Sequence, residues 1–272
     1  MAEWMRTAIL IVALAISAVI GTIGAQWLGG PRGGLGPTIL QTVDQIDAAI
    51  AILGVLAIAS VLGLLTAKVT TAASGMFVLG FALFALAMRT QGVSEFIFSD
   101  GNTSSLMIEA VCLSVVILCS SVFIFQFSNP LKDVPLNQSG SWDAPFSLRT
   151  VGITLLISLA MLPVIWIIAV TPSKGQVIGS AVIGGIAVAC LARMCMPHTQ
   201  PILLFAAPTA IAAVGYAIAT FLGISDTAFT QNTLSPLLFP LPIEYAAGSI
   251  MGISIGLSWG ASLAEKVTPE IA

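Results

Sequence analysis

Glu109 and Glu244 stand in apolar surroundings, in the runs TSSLMIEAVCLSV and PIEYAAGSI. An ionised carboxylate within a membrane span costs about 2–3 kcal/mol on insertion scales, and it usually marks a binding or relay site. The chemistry that fits a lone carboxylate in such a place is binding of a cation or a proton. Each follows an isoleucine, and the two are 135 residues apart. A simpler reading competes with this one. Near the start of a helix, a carboxylate is favoured by the positive end of the macrodipole, and Glu244 is expected at the headgroup layer.

Other groups point to less. Arg89 and Arg193 end apolar segments, where long basic side chains snorkel to the interface. The run RMCMPH gathers Met194, Cys195, Met196 and His198, a soft set suited to Cu(I). Met and Cys are also ordinary apolar filler, so no metal site is assigned. Cys112, Cys119, Cys190 and Cys195 make no CxxC or zinc spacing and are expected as reduced, buried thiols. With one histidine and no paired catalytic groups, neither a catalytic residue nor a cofactor is expected, and the protein is not read as an enzyme. Walker, GxGxxG and HExxH patterns are missing.

Gly248, Gly252, Gly256 and Gly260 recur at four-residue spacing, interleaved with serines. Such a GxxxG ridge lets another backbone approach closely. Its partner is either a helix of the same chain or a second copy. The outer loop that starts GGPRGGLGP forbids helix at first, and Asp44 and Asp47 suit the cap of the helix that follows.

The elements that must hold these groups are helices in a bilayer. The chain has 272 residues, 57% hydrophobic and 8% charged. A soluble domain carries about 25% charged residues, and disorder needs low hydrophobicity, so both are excluded. A net charge of −3 argues against a nucleic-acid partner. A hydrocarbon core about 30 Å thick calls for roughly 20 apolar residues per span. Eight segments answer: Thr7–Trp27, Ala48–Ala67, Thr71–Met88, Ser105–Phe127, Thr150–Val170, Val177–Met196, Pro201–Leu222 and Ile243–Leu263. Barrel strands would alternate with period two, and runs such as IVALAISAVI do not, so the expected fold class is all-α.

Lysine and arginine set the orientation. Arg6, Lys68, Lys132, Arg149, Arg193 and Lys266 fall at one set of ends, and Arg32, Arg89 and Lys174 at the other. Both termini are therefore expected in the cytoplasm, with the chain in the cell membrane. Trp4 and Trp27 bracket the first span as interfacial anchors do. That span outlasts a typical signal-peptide core and is expected to stay.

An internal repeat organises the spans. MRTAILIVALAIS resembles LRTVGITLLISLA, GVLAIAS resembles GGIAVAC, GFAL resembles GYAI, and IEA resembles IEY, in the same order along the chain. The last two matches share the offset of 135 residues. The expected plan is 4+4: residues 1–127, a polar cytoplasmic linker 128–147, and residues 148–272. Four spans each give a parallel repeat about an axis along the membrane normal. At the matching places of the fourth span, Leu113, Ile117 and Ser121 stand where the eighth has glycine, so packing in the two halves has diverged.

Two functions fit. One is a permease or channel moving a small solute or ion between the halves, with Glu109 and Glu244 as its charged elements. The other is a non-catalytic subunit that anchors or scaffolds a larger membrane complex. The expected partners are the bilayer and either other membrane subunits or further copies of the chain.

Overall fold

The computed structural model describes residues 3–128, 146–197 and 199–267, the side chains of 261 and 263–267 excepted. The described chain is all-α. Its helices are α1 (Glu3–Ala25), α2 (Gln45–Val69), α3 (Ala72–Ala87), α4 (Val93–Phe98), α5 (Thr103–Phe127) and α6 (Leu148–Ser158). They continue with α7 (Met161–Ile168), α8 (Lys174–Cys195), α9 (Ala207–Leu222), α10 (Asp226–Thr230) and α11 (Pro242–Val267).

Among the described residues, six stretches are long and apolar enough to cross a membrane: α1, α2, α5, the α6–α7 pair, α8, and Leu203–Leu222, which contains α9. They make this a protein compatible with multi-pass insertion. A helix suits that medium because it satisfies its own N–H and C=O groups. The other two expected spans differ from that simple picture. α3 has 16 residues, about 24 Å at the usual rise, short of the hydrocarbon thickness. α11 is the central helix, and every residue from Pro242 to Ile253 is buried. Protein surrounds that stretch, while Trp259 farther along is exposed.

Local chemistry sets the helix ends. Asn102 caps α5 by accepting from Ser104 N at 2.9 Å, and Thr71 caps α3 by accepting from Ser74 N at 3.3 Å. Ser147 does the same for α6, accepting from Thr150 N at 3.2 Å. Asp44 holds the N-cap place of α2, but its side chain accepts no cap hydrogen bond. The expected fifth span breaks between α6 and α7. Pro163, third in α7, lacks an N–H, and its ring crowds the carbonyl four residues back, at Leu159. The break falls there, at Leu159–Ala160.

α11 packs along α8 and α3, α3 also meets α1 and α2, and α5 lies against α9 and α2. The α11 glycines face α8. A Cβ on Gly248 would stand 2.5 Å from Ala181 Cβ, one on Gly252 2.1 Å from Val182 O, and one on Gly256 2.7 Å from Ile186 O. A Cβ on Gly260 would meet Arg193 at 2.9 Å. The close approach is thus made within the chain, helix on helix. Most of the segment read as the linker lies outside the described residues.

Candidate functional site

Both glutamates are buried, at the same end of the bundle. Glu109 is 4% exposed and Glu244 is 2% exposed. Glu244 is enclosed by protein, with the start of α8 reaching it through Lys174. Glu244 is in the first turn of α11, whereas Glu109 is in the second turn of α5, because Pro240 and Pro242 delay the start of α11.

Their surroundings differ. Glu244 Oε2 accepts from Leu241 N at 2.9 Å, just ahead of its own helix. This is the back-bond of a capping box, with the acid three places into the helix. Its other oxygen pairs with Lys174 Nζ. Lys174 opens α8 and also donates to Thr90 Oγ1 at 3.1 Å and to Gln91 O at 3.0 Å. An ammonium has three donors, and here all three are used. The contact joins the segment after α3 to the starts of α8 and α11.

Glu109 has no basic partner among the described residues. Its Oε2 accepts from Leu40 N at 3.2 Å. Leu40 belongs to a 3₁₀ turn, Ile39–Gln41, in the long loop after α1. The loop's glycines and Pro37 keep it out of a helix, so it folds back and lays this turn over α5. The Ile39 N–H and the Thr38 hydroxyl also lie beside the carboxylate. Oε1 is buried and closes no hydrogen bond, as are Thr38 Oγ1 and Gln41 Oε1.

Tyr216 lies on α9. It is fully buried, its OH donates to Pro240 O at 2.7 Å, and its phenol lies within electrostatic reach of Glu109, Glu244 and Tyr245. Tyr245, next to Glu244, is also buried, with its OH unpartnered. These are the two tyrosines of the chain. Sequence reasoning missed Tyr216, Tyr245 and Lys174 as site residues. The signal was present in GYAI and IEY, where each repeat match carries a tyrosine, and in a lone lysine at the head of a glycine-rich span.

The remaining groups stay apart from this cluster. Arg193 is buried at 4% exposure, not snorkelling, with Nη1 donating to Pro197 O at 3.5 Å. It lines a cavity of about 20 Å³ at the opposite end with Thr150, Thr154 and Gln200, room for about one water. Cys112, Cys119 and Cys195 are free but exposed on helix faces, with Cys190 half-buried, which corrects their expected burial. His198 lies outside the described residues, and no group of metal-ligating side chains gathers among those described.

Two wider hollows open sideways. One of about 320 Å³ lies between α2 and α5 beneath the 3₁₀ turn, with Glu109 in its wall. The other, about 140 Å³, lies between α5, α6 and the start of α9. Comparison with models of known families, with curated proteins and with solved structures finds no match to this chain.

Proposed function

We propose that the protein is a permease- or channel-like integral membrane protein that moves a small solute or ion between two four-helix halves. A cation or proton is the cargo that two carboxylates favour. The observation that carries the reading is that Glu109 and Glu244, from the fourth and eighth spans, are both buried, Glu109 with no basic partner among the described residues. An intramembrane acid without a basic partner is retained at a cost, and a translocated cation would offset it. The helix neighbours support a duplicated plan: α3 lies on α11 as α9 lies on α5. The third span thereby meets the eighth as the seventh meets the fourth. In this reading the Glu109 and Glu244 end faces outward, and the end with Arg6, Lys68, Arg149 and Arg193 faces the cytoplasm of a cell membrane.

Flux from proteoliposomes across a panel of small cations, for the parent and for Glu109→Gln, tests the proposal. Substrate-dependent flux lost in Glu109→Gln, with folding intact, supports it. Flux unchanged in that variant overturns the role of the carboxylate.

A second reading, a non-catalytic membrane subunit, is favoured by the packing between the halves. A Cβ on Gly80 of α3 would stand 2.9 Å from Ile250 of α11. The larger hollows open to the sides, past Leu53 and Ile108 or Val115 and Leu155, all exposed. A parent protein with no flux of any kind would turn the assignment to this reading, and co-purifying membrane proteins would then identify the complex.

A further inference from the structure

The hollow between α2 and α5 combines two features that rarely meet. Its walls are aliphatic: Ala49 and Leu53 on α2, Ile108 and Cys112 on α5, with Leu40 above. Leu53 and Ile108 are exposed on the flank, so the hollow opens where acyl chains would lie. Its volume of about 320 Å³ is within the range of ligand pockets, about 300–1,000 Å³. One wall holds a carboxylate. Glu109 is 4% exposed, and its Oε1 is buried without a hydrogen-bond partner, as is Gln41 Oε1 on the turn above.

The hollow has a cause in the sequence. At the offset of 135 residues, Leu113 and Ile117 of α5 stand where α11 has Gly248 and Gly252. The glycines let α11 close on α8, with backbone atoms in near contact. Leucine at the first of these places cannot allow the same close approach to α2, and Leu113 lines the space between the two helices. A helix pair held apart at the flank of a bundle, with an acid at one end, is shaped for a chain with a polar head.

We propose that this cleft binds a single-chain amphiphile with a cationic amine head, its ammonium seated on Glu109 and its alkyl chain between α2 and α5. Charge complementarity selects the head. A buried carboxylate in the wall, with Oε1 closing no hydrogen bond and no basic side chain paired to it among the described residues, favours a head that brings N–H donors and a positive charge, and a primary ammonium brings three. The aliphatic walls select the chain, since its methylenes leave no polar group unsatisfied there. The proposal does not depend on transport: the site exists whether or not the protein moves an ion.

The test uses the full chain in nanodiscs with dodecylamine carrying a mid-chain diazirine as the probe. After illumination, adducts should map to the peptides around Ala49–Leu56 and Ile108–Val116. Unlabelled dodecylamine should displace the probe at least tenfold better than dodecanoate or dodecanol of the same length. Glu109→Gln should remove that preference for the amine. Leu53→Trp, which fills the cleft from the lipid side and keeps the carboxylate, should remove the adducts. Adducts spread evenly over the lipid-facing helices would overturn the site. Dodecanol or dodecanoate competing as well as the amine would overturn the charge-based selection. Flux is not read in this experiment, so its outcome and that of the transport measurement stand apart.

Discussion

Lys174 and Glu244, 70 residues apart, form an ion pair in which the acid is 2% and the lysine 21% exposed by side chain. The pair closes one end of the bundle, because the same ammonium also holds Thr90 and Gln91. Removing one member of a buried pair leaves an uncompensated charge, and such losses run to about 3–5 kcal/mol. Lys174→Met should therefore destabilise by about 3 kcal/mol, the lower value reflecting the partial exposure of the lysine. Lys174→Met with Glu244→Gln should recover most of that loss. Unfolding equilibria of the single and double variants in mild detergent give the coupling energy, and additive effects would mean that the pair is not formed.

The exposed pair Arg32–Glu95, at 3.7 Å with the arginine 57% exposed, provides the contrast. Pairs of this kind are worth about 0–1 kcal/mol. Arg32→Ala should leave the midpoint of unfolding within experimental scatter at physiological salt.

Glycines at two kinds of position should respond in opposite ways. A Cβ on Gly252 would meet Val182 O at 2.1 Å, while around Gly179, also helical, nothing lies within 4 Å. Gly252→Ala must push α8 and α11 apart, at a cost of about 1–3 kcal/mol for overpacking. Gly179→Ala should be neutral or stabilise by up to about 1 kcal/mol, because alanine has the higher helix propensity. Thermal unfolding of both variants decides it; a tolerant Gly252→Ala would mean that the α8–α11 contact is looser than 2.1 Å implies.

The two buried tyrosines should also separate. Tyr216→Phe removes the donor to Pro240 O and leaves a buried carbonyl unsatisfied, for a loss of about 1–3 kcal/mol. Tyr245→Phe removes a hydroxyl that has no partner and should be neutral or stabilising. Equal losses in the two variants would show that Tyr245 OH is hydrogen-bonded after all.

The apolar runs of the sequence by themselves pointed to an all-α chain compatible with a bilayer, because hydrocarbon offers no partner to backbone N–H and C=O groups and a helix satisfies them within one segment. The sequence also singled out Glu109 and Glu244 as acids in apolar runs, whereas the caps at Asn102, Thr71 and Ser147 emerged only in the structure, and the cap expected of Asp44 makes no side-chain hydrogen bond. Which groups meet those acids was decided only in three dimensions. Leu40 and Lys174 come from 69 and 70 residues away. Nothing in the glycine spacing says whether α11 faces α8 or a second molecule. In lipid, acyl chains are as apolar as a neighbouring helix, so hydropathy does not rank the faces of a span. The pairing is set by which surfaces fit at short range: α11 against α8 through glycine, and α5 beside α2 with Leu113 in the wall of the hollow between them.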